Sequence, residues 1–198
     1  EGRQILQLSG SFRGGNLGAL RFAAYFDPTH RTWISDFASD QIRLGKDLFT
    51  LLPTSLRQSV GAAPRLSGNL EFQGSASGDL TFDQLPQFRM QGKLSEFTSD
   101  DPRLPLPITR AGVEFELDNR QLRLTNATGK LGEGAFQVNY HQIGLIERRQ
   151  WAIVGSVENF NFTTDKQLPA GLPNYFRDFC RDFAPKGSAN FRFSLRHD

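Results

Sequence analysis

Val113-Glu114-Phe115-Glu116-Leu117-Asp118-Asn119-Arg120-Gln121-Leu122-Arg123-Leu124 decides the fold class. Val113, Phe115 and Leu117 alternate with Glu114 and Glu116, so an extended chain would turn its apolar side chains to one face and its carboxylates to the other. Asp118-Asn119-Arg120-Gln121 is a turn signal, after which Leu122 and Leu124 resume the apolar face. The stretch predicts a β-hairpin with one dry and one wet side.

The same period recurs outward in both directions. Alternation marks strands at Leu66–Phe72, Phe88–Phe97, Ala135–Tyr140, Trp151–Phe162 and Ala189–Leu195. Earlier strands are expected at Ile5–Phe12, Leu17–Phe26, Thr32–Phe37 and Gln41–Leu44, with glycines between many of them. Composition agrees: 18 Phe against 1 Met suits pleated, half-buried surfaces, and 19 Gly with 10 Pro suits many turns. The expected fold is mainly β, a large curved antiparallel sheet, either an open groove or a partly closed barrel or sandwich.

Two segments leave the two-residue period. Tyr175, Phe176, Phe179, Cys180 and Phe183 share one helical face, opposite Arg177, Asp178, Arg181 and Asp182. Pro173 suits a first helical turn and Pro185 ends the run, which predicts a short helix over 173–184. A weaker helix is expected over 54–60. Both sit in a repeat: Trp33, Leu52-Pro53, Leu56-Arg57, Pro64 and Gly68 match Trp151, Leu172-Pro173, Phe176-Arg177, Pro185 and Gly187 at offsets of 118 to 121 residues. The repeat units are about 33–72 and 151–193, with a mainly β stretch from Leu80 to Tyr140 between them. Asp101-Pro102-Arg103-Leu104-Pro105-Leu106-Pro107 reads as a connection within the sheet. The chain begins within four residues of one strand signal and stops just after another. Residues 1–198 are therefore expected to form a single β-rich segment of a longer repetitive protein.

Several function classes find no support. Charged residues make up 22 % of the chain and nearly balance at net +2, without the basic stripe of a nucleic-acid protein. One cysteine, Cys180, makes neither an internal disulfide nor a zinc site and reads as a buried apolar thiol. His30, His141 and His197 lie in unrelated contexts. Gly129–Gly134 continues as strand rather than opening a helix, so it is not a phosphate loop. Asp100-Asp101 reads as a solvated turn, since calcium takes six or more oxygens. No catalytic residue, metal ligand or cofactor is expected, and the chain is not read as an enzyme.

Gln91-Gly92-Lys93-Leu94-Ser95-Glu96-Phe97, then Leu104-Pro105-Leu106-Pro107-Ile108, the hairpin above, and Gly129-Lys130-Leu131-Gly132-x-Gly134-Ala135-Phe136 together resemble repeats of the AsmA-like family of bacterial envelope proteins. The resemblance covers Phe88–Tyr140, and the proline–helix units depart from the family's cadence. It implies a periplasmic module of a parent protein held in the inner membrane by an anchor outside this segment. It also implies a curved sheet with an apolar inner groove, a part in outer-membrane maintenance and phospholipid movement, and no catalytic residues.

On that basis Leu70, Phe72, Phe88, Val113, Phe115, Leu117, Leu122, Leu124, Phe136 and Val138 are expected to line the apolar face. Tyr175, Phe176, Phe179 and Phe183 would cap or gate one end. The expected partners are phospholipid and adjacent repeats of the parent, and not nucleic acid. A second reading is a structural module that adds partner strands at its edges. An ordinary closed core and an open groove remain alternatives, because a core Phe and a groove-lining Phe look alike in sequence.

Overall fold

The computed structural model describes residues 5–14, 18–45, 66–81, 85–100, 106–144, 149–162, 174–183 and 186–198. They form one ten-stranded antiparallel sheet in which every strand pairs with its sequence neighbours. The strands are β1 (Leu6–Arg13), β2 (Ala19–Asp27), β3 (Thr32–Leu44), β4 (Leu66–Asp79), β5 (Gln87–Ser99), β6 (Ile108–Asp118), β7 (Gln121–Leu131), β8 (Gly134–Ile143), β9 (Gln150–Phe162) and β10 (Gly187–His197). The helix α1 covers Asn174–Phe183, within the predicted 173–184. The helix expected over 54–60 lies outside the described residues. The sheet is open: β1 and β10 are its two edges and do not pair with each other. The barrel alternative is thereby corrected, because closure requires the first and last strands to meet. The segments Thr32–Phe37 and Gln41–Leu44, expected as two strands, are one continuous β3.

Alternation survives across the whole sheet. One line of directly paired residues runs Phe12, Leu20, Ser39, Phe72, Gly92, Phe115, Leu124, Tyr140, Ile153, Leu195, one from each strand. The adjacent line runs Ser11, Arg21, Ala38, Gln73, Gln91, Glu116, Arg123, His141, Ala152, Arg196. Paired residues share a face and successive residues take opposite faces. The sheet therefore has one apolar side and one polar side over all ten strands.

Keeping that phase requires β-bulges. The register shifts within the pairs Leu94/Phe97 of β5, Thr109/Gly112 of β6, Leu124/Ala127 of β7 and Ser39/Ile42 of β3, and at Val157/Phe160 of β9 opposite Ala189/Phe191. Glu96, Arg110, Asn126 and Asn159 sit at four of these bulges with φ between 51° and 54°. A left-handed backbone in the extra residue is a recognised bulge geometry, normally occupied by glycine. Two freed backbone groups are met in the same way. The Asn126 amide donates to Asn139 Oδ1 at 3.0 Å, and the Asn159 amide donates to Asn190 Oδ1 at 2.8 Å.

Arg110 is exposed and gains nothing from its φ of 53°. Arg110→Gly is expected to stabilise the protein by about 0.5–1 kcal/mol, and Arg110→Val to destabilise it by at least about 1 kcal/mol. Urea unfolding midpoints check both.

Antiparallel order sorts the connections to two ends. One end carries the turns at 28–31, 80–86, 119–120 and 144–149; the other carries 14–18, 45–65, 100–107, 132–133 and 163–186. The two connections in which proline–helix units were expected thus join the sheet at the same end. At the opposite end aspartates organise the turns. Asp118 accepts from the Arg120 amide at 2.7 Å and the Gln121 amide at 3.0 Å, and Asp79 accepts from the Thr81 amide at 2.7 Å. Asn119, at the tip of the hairpin first read in the sequence, accepts from the Phe88 amide at 2.6 Å and donates to the Pro86 carbonyl at 2.7 Å. The turn thereby ties itself to the start of β5.

These amides, the Arg120 amide foremost, hold the Asp118 carboxyl below its ordinary value of 3.8. A depressed folded-state pKa supplies stability that is complete above the unfolded value and is lost as pH falls through the folded one. Asp118→Asn is therefore expected to shallow the loss of stability between about pH 5 and about pH 3 relative to the parent protein, read as urea midpoints across that range.

Candidate functional site

The ten residues expected to line the apolar face lie together on it, and all are half-buried. Phe72 pairs with Gly92, Gly92 with Phe115, and Phe115 with Leu124. Leu70 reaches Val113 through Leu94, Leu117 pairs with Leu122, and Phe88 with Ala76. Phe136 and Val138 continue the face onto β9 at Val157 and Gly155.

Sequence reasoning missed how the large rings are seated. The ring of Phe115 lies over Gly92, where a built Cβ would meet it at 2.7 Å. Phe37 lies over Gly74, Phe22 over Gly10, Phe136 over Gly129 and Phe193 over Gly155, each with ring atoms 2.7–2.9 Å from such a Cβ. In every case the glycine is the ring's direct partner on the neighbouring strand. The rings therefore lie along the sheet and cover neighbouring backbone, a cross-strand pairing that compensates for glycine in a strand. Two further ring pairs knit the face, Phe37 with Phe72 at 6.1 Å and Phe160 with Phe191 at 5.7 Å, both edge to face.

This packing is lateral. The buried apolar residues are the small or medium Ala24, Ile42, Ala111 and Val157, shaded by larger neighbours, and no large described side chain is fully buried. Ser39, at 2 % exposure, is buried on the same face. Among the described residues no sealed core of the ordinary kind, one of the two alternatives, is formed. Ten strands spaced at about 4.8 Å and about 11 residues long give a face of roughly 1,500 Å², against about 300–600 Å² for the largest apolar patch on a typical monomer.

The expected capping residues are only partly described. Phe183 ends α1 at 72 % exposure. The side chains of Tyr175, Phe176 and Phe179 lie outside the described residues.

The polar face carries a line of charge, with Glu71, Lys93 and Glu114 directly opposite one another on β4, β5 and β6, and an Arg21–Asp40 ion pair of 2.5 Å beside it. Open depressions of about 640 and 620 Å³ lie on this side, bordered by Arg21, Ala38, Gln73 and Gln91 among others. His141 and His197 border one shallow depression of about 240 Å³ with Trp151, whose ring stacks on His197 at 5.8 Å. His30 stands apart in the β2–β3 turn, bonded to Asp27 at 2.9 Å. Among the described residues no three His, Cys, Asp or Glu side chains gather as a metal site, and no helix is long and apolar enough to cross a membrane.

A comparison with protein-family models, curated proteins and solved structures finds no match to this chain.

Proposed function

We propose that this chain is a non-catalytic periplasmic module of an AsmA-like envelope protein, whose apolar sheet face holds or conducts phospholipid acyl chains in outer-membrane maintenance. The observation that carries this reading is the apolar face running through all ten strands, across which no described element lies. An apolar sheet face in water is stabilised only by something laid on it. An acyl chain suits the surface: flat-lying rings leave a mostly apolar floor, and each buried methylene contributes about 0.8 kcal/mol. Selectivity for the head group would be weak, because the head group would project beyond the face. The parent protein would supply the inner-membrane anchor and further repeats that extend the face.

The test is native mass spectrometry of the chain purified from cells without detergent. Phospholipid adducts are expected, together with a higher thermal midpoint on adding phospholipid. Protein that is free of adducts and gains no midpoint from added phospholipid overturns the proposal.

A second reading rests on a different observation. β1 and β10 each present an outer edge with no partner strand among the described residues. Such edges recruit strands by main-chain hydrogen bonding, which would make the chain a structural module joined through its edges.

A further inference from the structure

The strand register carries one pattern twice. Trp33 pairs with Gly78, and Trp151 with His197. Each indole lies over its partner: a Cβ built at Gly78 would meet Trp33 Nε1 at 3.0 Å, and Trp151 stacks on His197 at 5.8 Å. Six residues along, Ser39 pairs with Phe72 and Val157 with Phe191, and both ladders then slip, to resume at Ile42–Leu70 and Phe160–Ala189. Ser39 and Val157 are both buried, and Phe72 and Phe191 each hold an edge-to-face ring contact. The correspondence continues into the strands before them. Leu6 and Leu8 answer to Leu122 and Leu124, and Arg13 opposite Ala19 answers to Lys130 opposite Ala135. The β7–β8 ladder differs from the β1–β2 ladder by one register shift, at Asn126. Antiparallel order by itself fixes neither the rung of a bulge nor the rung of a tryptophan.

We infer that β1–β4 and β7–β10 are two copies of one four-stranded unit, with β5 and β6 between them, and that the surface the copies share is the one the ligand reads. The inference deepens the lipid reading above and rests on it for the ligand's identity. Equivalent positions separate the two faces. On the apolar face no Asp, Glu, Lys or Arg stands on any strand of either copy. Phe22 and Leu195 are 38 % and 46 % exposed there, where a charged side chain would stay hydrated at little cost to folding. The absence of charge from both copies therefore has a cause beyond folding. Where a ring changes strand, its glycine changes with it: Phe37 lies over Gly74, and at the equivalent rung Phe193 lies over Gly155. On the polar face charge is not kept. Arg21, Asp36 and Glu71 answer to Gln137, Val154 and Asn190, and Gln73 and Ser77 answer to Arg192 and Arg196. Arg21, Asp36 and Gln73 border the depression of about 640 Å³ on that side, so its chemistry is missing from the second copy. A lipid is thus taken by its acyl chains on the uncharged face, whatever the charge of its head group.

Exchange between equivalent positions tests the copies on the full chain. Ser39→Val and Gly78→His give the first copy the residues of the second. Both are expected to hold or raise the urea midpoint. Ser39 Oγ is buried with no hydrogen-bond partner among the described residues, and at Gly78 the only close atoms belong to the Trp33 side chain. Gly74→His, which matches no equivalent residue, is expected to lower the midpoint, since its Cβ would meet the Arg89 carbonyl oxygen at 2.6 Å. Native mass spectrometry reads the shared surface. Phosphatidylethanolamine and phosphatidylglycerol at equal concentration are expected to give adducts within about threefold of each other at low and high salt. Arg21→Gln, Asp36→Val and Gln73→Arg together, the polar residues of the second copy, are expected to leave both unchanged. A preference for the anionic lipid of about tenfold or more, or adducts lost in the triple variant, overturns the shared surface and leaves the lipid reading standing. Midpoints that fall with Ser39→Val and Gly78→His as far as with Gly74→His overturn the two copies. Adducts with neither lipid overturn the lipid reading and the shared surface with it, while the midpoints still decide the copies.

Discussion

Gly92→Ala is expected to destabilise the protein by about 2–3 kcal/mol, whereas Gly112→Ala, one strand away, is expected to stabilise it by about 0.5 kcal/mol. Both glycines lie in the middle of the sheet, on β5 and β6. What separates them is the space a methyl group would enter. At Gly92 a Cβ runs into the Glu71 carbonyl oxygen and meets the Phe115 ring at 2.7 Å. The ring tip could swing away, but the carbonyl belongs to the β4–β5 ladder and has nowhere to go without breaking it. At Gly112 the nearest atom is the Leu94 carbonyl oxygen at 3.6 Å, an ordinary contact. There alanine removes only the excess freedom of glycine in the unfolded chain. Urea denaturation of the two variants measures both signs. Adding Phe115→Leu to Gly92→Ala should recover only part of the loss, because it clears the ring and leaves the carbonyl. Full recovery would mean that the ring, not the ladder, sets the requirement for glycine.

The same glycines show where legibility in the sequence stops. The two-residue period gave the strands and their faces because each face meets a different solvent environment, and that contrast is written residue by residue. The hairpin at Val113–Leu124 was read at its true turn, Asp118 to Gln121, because an aspartate capping amides two and three residues ahead is a local device. The bulges were written too, in a subtler form: Ile108 to Ala111, Leu124 to Ala127 and Val157 to Phe160 each put apolar residues three apart inside a run of alternation. Asn126 and Asn159 are residue types that tolerate a left-handed backbone, but Glu96 and Arg110 give no such hint. The pairing of Phe115 with Gly92, or of Phe193 with Gly155, depends on register between strands, which no single strand encodes. Whether the apolar face would be sealed depended on whether anything lies across it, a question of tertiary arrangement. The ten apolar positions were therefore found on one face, while their half-buried state had no signature in the chain.

Half-burial is what makes the apolar face open to a direct test by charge. Phe115→Asp and Leu124→Asp place carboxylates at adjacent positions of one rung, at the centre of the face. In a sealed core either change would bury an unpaired charge and unfold the domain. Here both side chains keep contact with solvent, so each variant is expected to remain folded with a loss of about 1–3 kcal/mol, chiefly from lost ring or aliphatic packing. The effect on the proposed ligand is expected to be much larger. A carboxylate on the floor of an acyl-chain surface must either stay hydrated, lifting the chain off its neighbours, or lose its water beneath it. The loss of a few methylene contacts at about 0.8 kcal/mol each corresponds to a fall in affinity of at least tenfold. Ile34→Asp and Val154→Asp are the matched controls: both residues are apolar and about half exposed, but they stand on the opposite face. Native mass spectra of the four variants should therefore divide by face, with phospholipid adducts lost at Phe115 and Leu124 and kept at Ile34 and Val154. Folded Phe115→Asp and Leu124→Asp proteins that keep their adducts would place the acyl chains elsewhere, and equal loss in all four would trace the effect to net charge rather than to the apolar face.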